Sequence, residues 1–233
     1  MATARKVKYE EMLPHEFAAA LEEFPVAYVP VGSLEWHGRH LALGNDTLKA
    51  YGILLRTALR HGGVVVPPTY WGHMGHWKPG CHPGLPTAVV DELFTAVFQG
   101  LVTVGFKVVI GVTGHDVKEQ VASLQKAVDA IAVDGRAAGL AAMEGDLYDL
   151  PGDQMDHAAH WETSILMQLR PELVEMERIE GEDLSTREGS EAAGIYGRDP
   201  RTDASRELGE RIVNRIADNL GRKARELLAS VHS

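Results

Sequence analysis

The sequence predicts an α/β fold with a mostly parallel sheet sandwiched between two layers of helices, a three-layer α-β-α arrangement. Three observations carry the prediction. Short β-rich apolar runs alternate along the chain with longer segments of helical periodicity, the order that builds a parallel sheet covered on both faces. No internal repeat, low-complexity tract or linker interrupts that alternation. With 233 residues, 45% hydrophobic and 24% charged, the chain has the size and composition of one folded domain spanning 1–233 and not of a disordered segment.

The elements follow in order. Val26–Val31 (VAYVPV) reads as a strand. From Thr47 to about Arg60, apolar residues at Leu48, Tyr51, Leu54, Leu55, Ala58 and Leu59 keep helical spacing, and Gly62-Gly63 end the helix. Val64–Val66 is a short strand. Pro67–Pro86 is dense in Gly, Pro, His and Trp and too long for a plain connector, which suggests a functional loop. Val89 to Val104 is helical, and Lys107–Val112 (KVVIGV) is a buried strand. Val117 to Val133 places Val121, Leu124, Val128 and Ile131 on one helical face. Gly139–Met143 is a strand, and Trp161–Leu169 a helix stopped by Pro171. A long helix from about Ala204, capped by Thr202 or Asp203, closes the chain with the stripe Leu208, Ile212, Ile216 and Leu220.

Composition excludes several function classes. The chain has 23 basic and 33 acidic residues, for a net charge of −10. That charge repels a phosphate backbone, so nucleic acid is not an expected partner; the small-molecule substrate expected here rests on the residues and the resemblance below, not on charge. A single cysteine, Cys81, rules out an internal disulfide framework and fits a reducing cytoplasm, the expected location. Met1–Glu10 is basic but leads into no apolar run, unlike a secretory signal. No apolar stretch approaches the ~18 residues of a membrane span.

In open α/β sheets, ligands bind at the carboxyl ends of the strands. After Val26–Val31 come Glu35, His37, His40 and Asp46; after the strand ending near Val112 come His115 and Asp116. Beyond Gly139–Met143 come Glu144, Asp146, Asp156, His157, His160 and Glu162. Three strand ends thus deliver carboxylates and imidazoles to one rim, a donor set suited to zinc, manganese or iron. An aspartate can bridge two cations through its two oxygens. Blander roles exist for each residue: a solvated loop for Glu35-x-His37, a cap of the Thr47 helix for Asp46, a satisfied strand-end histidine for His115, a helix start for His157 and Glu162. Dinucleotide, P-loop and nucleophile-elbow motifs are absent. Cys81, beside His82, has no identifiable base, and Trp71, Trp77 and Trp161 are more typical of core or lid than of ligand stacking.

Five blocks, in order, resemble the creatininase family. PVGSLEWHGRHLALGND (Pro30–Asp46) resembles its P-x-G-S-x-E-Q-H-G-x-H-L-P-x-x-T-D signature, and PGLPT (Pro83–Thr87) its P-G-T loop. GFKVVIGVTGHD (Gly105–Asp116) resembles the strand ending N-G-H-G-G-N. DHAAHWETSILM (Asp156–Met167) resembles H-A-G-x-x-E-T-S, and GIYGRDPRTDASRELGERI (Gly194–Ile212) resembles the C-terminal G-x-x-G-x-P stretch. The resemblance implies a creatininase-like, metal-dependent hydrolase, often hexameric, with two divalent cations (Zn, Mn or Fe) per chain. Its metal ligands fall on Glu35, His37, Asp46 as the bridge, His115 and Glu162. His157 falls on the acid/base position, and Asp116 and Trp161 are candidates for substrate contact.

The departures are informative. Trp36 replaces the usual Gln, and Ala42 replaces the Pro after His40-Leu41. Creatinine hydrolases follow the ligand His with Tyr-Glu-Asn, whereas here it is followed by Asp116-Val117-Lys118. Val117 supplies no carboxylate, so Asp116 or Glu162 must complete a second metal site, and creatinine is not the expected substrate. A metal-activated water opening a cyclic amide or cleaving a formamide fits, with His157 shuttling the proton. Ring-opening C–C hydrolysis of a cyclic polyol ketone, inositol-derived, is the alternative. A non-catalytic binding protein on the same scaffold would be separated from both by a hydrolase screen.

Overall fold

A computed structural model of the chain describes residues 5–74, 83–148 and 156–231. Its sheet is fully parallel, built from β1 (Val26–Val31), β2 (Val64–Val65), β3 (Val108–Thr113) and β4 (Ala138–Met143), in the order β2-β1-β3-β4. β1 and β3 pair along their whole length, from Val26↔Val108 to Val31↔Thr113, so their carboxyl ends finish level. All six residues of each are buried, which is why both read as unbroken apolar runs.

Two apolar layers enclose the sheet. On one face Tyr28, Val108, Ile110 and Val112 pack with Ile53 and Leu54 of α2 (Asn45–His61), Ile165 of α5 (His160–Leu169) and Ile212, Ile216 and Leu220 of α8 (Arg206–Ser230). On the other, Ala27, Val29, Val31 and Val109 meet Phe94 and Phe98 of α3 (Thr87–Thr103) and Leu124 and Ile131 of α4 (Lys118–Ala132). α1 (Pro14–Glu23) covers the edge of that second layer with Phe17, Ala20 and Leu21. Each such large apolar side chain, fully buried, contributes ~1.5–3 kcal/mol. The helix after β1 therefore lies on one face and the helix after β3 on the other, although the two strands are neighbours. Their carboxyl ends diverge at the point where such folds open a crevice.

The structure departs from the sequence reading at several helix ends. α8 begins at Arg206, and its cap is Ser205, whose hydroxyl accepts the Leu208 amide at 3.1 Å. Thr202 and Asp203 belong instead to a separate turn, α7 (Pro200–Asp203), capped by Asp199. α2 begins at Asn45 with Gly44 as its cap, so Asp46 sits inside the first turn and does not cap it. α1 and α6 (Arg187–Ala193) have no counterpart in the sequence reading. Among the described residues no helix is long and apolar enough to cross a membrane.

Candidate metal centre

Each side chain of the crevice is set by the strand end that delivers it. Past β1 the chain turns at Gly32, which packs so tightly on α2 that an added Cβ would lie 2.5 Å from the Thr47 nitrogen. Glu35 and His37 follow, both buried. His37 donates from Nδ1 to the Glu35 carbonyl at 3.1 Å, which turns its Nε2 inward. Past β3, Thr113 Oγ1 accepts the His115 amide at 3.0 Å and the Gln120 side chain at 2.9 Å. The same Gln120 amide group donates to the Gly32 carbonyl at 3.2 Å, and its oxygen accepts the His73 amide at 2.9 Å. One buried glutamine thus ties together the ends of β1 and β3 and the loop after β2. Gly114 brings the β3 end against α2: a Cβ there would lie 2.2 Å from the Asp46 carbonyl oxygen.

Asp46 lies between the two imidazoles. Its Oδ1 is 2.8 Å from His37 Nε2 and its Oδ2 is 3.1 Å from His115 Nδ1. Glu35 Oε2 stands 2.9 Å from the same His115 nitrogen, and Glu162 Oε2 stands 3.5 Å from His37 Nε2. Among the described residues three trios bring their donor atoms within 4.8 Å of one another: Glu35–Asp46–His115 and His37–Asp46–Glu162, which share Asp46, and Glu35–His37–His157. His37 Nε2 and Asp46 Oδ2 are buried yet form no well-directed hydrogen bond. Imidazole nitrogens and carboxylate oxygens converging this way suit a divalent cation of the zinc or manganese kind.

His157 enters from the opposite side. Its ring stacks on His37 with centroids 4.4 Å apart, and its Nε2 donates to the Trp36 carbonyl at 3.0 Å. The backbone turns sharply just after it, at Ala158, whose φ of 53° is left-handed, a conformation costing a non-glycine residue ~1–2 kcal/mol. The turn aims the Ala158 amide at Glu162 Oε2, 2.6 Å away. Asp156 accepts the Trp161 and Glu162 amides at 2.9 and 3.0 Å and so anchors the start of α5.

The electrostatics follow from burial and crowding. Burial alone would push the Asp46 carboxyl up, but His37 and His115 outweigh it and hold it well below the usual carboxylate range. Burial likewise disfavours charged imidazoles, yet Asp46, Glu162 and Glu35 raise His37 to about 9, and Asp46 and Glu35 raise His115 to about 10. His157 is lowered, by burial first and then by His37. Asp116, exposed beside His115, is raised by partial desolvation and by the nearby Glu162 and Asp146.

Six of the eight candidate residues therefore meet: Glu35, His37, Asp46, His115, His157 and Glu162. Asp116 lies at the edge of this group. Trp161 does not join it; its indole stacks on Tyr148 at 4.6 Å and packs in the core, because the helical turn that directs Glu162 inward rotates its neighbour towards the sheet. Trp71 is half exposed, whereas His76, Trp77, Cys81 and His82 lie outside the described residues. Two residues were missed. Lys49, 1% exposed, pairs with Glu144 and, at 2.6 Å, with Glu162 Oε1. Gln120 was the other. The available signal was Lys49's position, three residues after Asp46 and four before Ile53, on the buried stripe of α2 where a lysine is out of place.

Known proteins resemble this chain in sequence and in fold. The family model for creatininase, described as creatinine amidohydrolase, matches residues 10–223. A mycofactocin precursor peptide peptidase of Mycolicibacterium smegmatis is 31% identical over 225 residues, covering 85% of each chain. A 3-dehydro-scyllo-inosose hydrolase of Thermotoga maritima is 30% identical over 114 residues, 47% of this chain and 36% of that one. The solved manganese creatininase superposes with a TM-score of 0.78 at 22% identity, over 95% of this chain and 98% of its own.

Proposed function

Because the chain belongs to the creatininase family, we propose that it is a metal-dependent hydrolase that cleaves an amide bond, in a peptide or a small cyclic amide other than creatinine. The observation that carries this reading is Asp46, one carboxylate offering one oxygen to the His37 side and the other to the His115 side. In this reading Glu35, Asp46 and His115 hold one divalent cation and His37, Asp46 and Glu162 a second, zinc and manganese being the natural candidates. Bound there, such cations lower the pKa of a water towards neutrality and polarise a carbonyl.

The chain's own residues supply the rest. The Trp36 carbonyl fixes the His157 tautomer with the proton on Nε2, so Nδ1 is the basic nitrogen. Burial and the adjacent His37 keep that ring neutral near pH 7, ready to take a proton from water and return it to the leaving nitrogen. Asp116 presents a carboxylate, and Val117 an aliphatic side chain, where creatinine hydrolases resembling this chain carry an aromatic ring and an acid. The similarity to a mycofactocin precursor peptide peptidase, which spans 85% of each chain, supports a peptide amide as the class to test first. The inosose hydrolase supports a second reading, ring-opening C–C hydrolysis of a cyclic polyol ketone.

The test is a hydrolysis panel with protein reconstituted in zinc and in manganese: short peptides, lactams, formamides, creatinine and a cyclic polyol ketone. Release of amine from a peptide or cyclic amide is the expected result. Turnover of the ketone alone would favour the second reading, and no turnover of any substrate by metal-loaded protein would refute both. A hexamer belongs to the same proposal, and light scattering checks it.

A further inference from the structure

Among the described residues Lys49 is the one lysine in the centre, and nothing in the hydrolytic reading uses it. Its ammonium sits between two buried carboxylates, Glu144 Oε1 and Glu162 Oε1, the latter at 2.6 Å. It is 1% exposed, at the bottom of the crevice and one helical turn beyond Asp46. Glu162 is held at both ends: Lys49 grips Oε1, and the Ala158 amide grips Oε2 at 2.6 Å. A glutamate side chain has three rotatable bonds, and an unrestrained one would spread its carboxylate over several rotamers. These two grips leave one, with Oε2 turned towards His37 Nε2. Glu35 Oε2, by contrast, meets His115 Nδ1 directly, at 2.9 Å. The two halves of the centre are therefore built differently. The Glu35–His115 half is formed from strand-end residues alone, while the His37–Glu162 half depends on a helix-borne lysine.

We propose that Lys49 is a positioning residue for Glu162 and that occupancy of the His37–Asp46–Glu162 half of the centre depends on it, while the Glu35–Asp46–His115 half does not. This rests on the two-cation reading above. Glu144 completes the device. It accepts from the same ammonium, so Lys49 is held between two buried carboxyl groups and cannot swing away from Glu162. Partners one step removed from a metal typically govern ~10–100-fold in metal affinity through the orientation of the ligand they hold.

The charge balance suggests the test. Lys49→Met alone strands Glu144 and Glu162 together in a buried place, which can unfold the chain. The double variant Lys49→Met/Glu144→Gln removes the ammonium together with the charge of its other partner, so Glu144 is not left buried as an unmatched carboxylate. Zinc is titrated calorimetrically into the metal-free wild type, the single variant and the double variant. Elemental analysis after dialysis gives stoichiometry, and circular dichroism checks the fold. Wild type is expected to take two zinc ions with resolvable affinities. The double variant should keep its wild-type spectrum and hold one affinity within about twofold, while the other weakens at least tenfold. Wild-type protein that binds fewer than two zinc ions overturns both this inference and the two-cation reading. Two zinc ions in wild type, with both affinities kept or both weakened alike in a folded double variant, overturn this inference alone. An unfolded double variant overturns it too, because the lysine would then be structural.

Discussion

Gly114 is where the packing of the fold and the chemistry of the centre meet, and replacing it by alanine tests both. A Cβ built there would stand 2.2 Å from the Asp46 carbonyl oxygen and 2.8 Å from its carbonyl carbon. Real Cβ contacts essentially never fall below 3.0 Å, so the β3 end and the first turn of α2 must separate by at least the missing 0.8 Å. Both partners are backbone, and no side chain can swing aside to absorb the shift. His115 rides on the next residue, and its nitrogen is 3.1 Å from Asp46 Oδ2. A displacement of roughly 1 Å within such a constellation commonly costs ~10²-fold. Overpacking adds ~1–3 kcal/mol of instability, and in a chain of this size each kcal/mol lowers Tm by roughly 2–4 °C. The assay is zinc affinity by chelator competition, with thermal melting alongside. Gly100→Ala on α3 serves as the control: nothing lies within 4 Å of its Cβ position, and the better helix former should leave stability unchanged or raise it by up to ~1 kcal/mol. Gly114→Ala protein binding zinc within threefold of wild type would refute the close-approach argument.

Further outcomes follow from the same geometry. Asp46→Ala should lose both cations, because it serves both halves, whereas Glu162→Ala should lose chiefly one; equal stoichiometric loss by elemental analysis would break the bridging assignment. Zinc affinity should rise with pH: metal-free His37 and His115, raised to about 9 and about 10, each hold a proton that the cation of its own half must displace, so below pH 9 the affinity of each half should climb by up to ~10-fold per unit. An affinity flat between pH 6 and 8 would show that those protons are absent. Creatinine should be turned over slowly or not at all, since Asp116 and Val117 stand where creatinine hydrolases carry an aromatic ring and a carboxylate; a creatinine-to-creatine rate above ~10 s⁻¹ with manganese or zinc would refute this.

The strands and the strand-end residues were legible because the same physics writes both. A parallel sheet buried on two faces needs unbroken apolar runs, and β1 and β3 stand out in the sequence for that reason. Residues just past such runs have little choice but to face the crevice, which is why Glu35, His37 and His115 could be read from position alone. Helix boundaries were less legible. Thr202, Asp203 and Ser205 are all acceptable caps, and only the separate turn at Pro200–Asp203 selects Ser205. Trp161 was misjudged for a similar reason. Its neighbour Glu162 faces the centre, and on a helix the next side chain points about 100° away, here into the core.

Lys49 shows what a strand-end search leaves out. Such a search looks at loops, because in this fold loops carry function, whereas Lys49 lies inside α2 on its apolar stripe. A buried lysine costs several kcal/mol unless its charge is matched, and here two carboxylates from different parts of the chain match it, Glu144 after β4 and Glu162 on α5. Neither partner is near it in sequence, so no spacing pattern could have revealed the trio. The anomaly itself was visible: a lysine between Asp46 and Ile53 where packing asks for an aliphatic residue. An ionisable residue at a core position of the helix that carries the bridging aspartate implies counter-charges nearby. In a crevice already crowded with carboxylates, one of those counter-charges, Glu162, also belongs to the proposed metal-binding group.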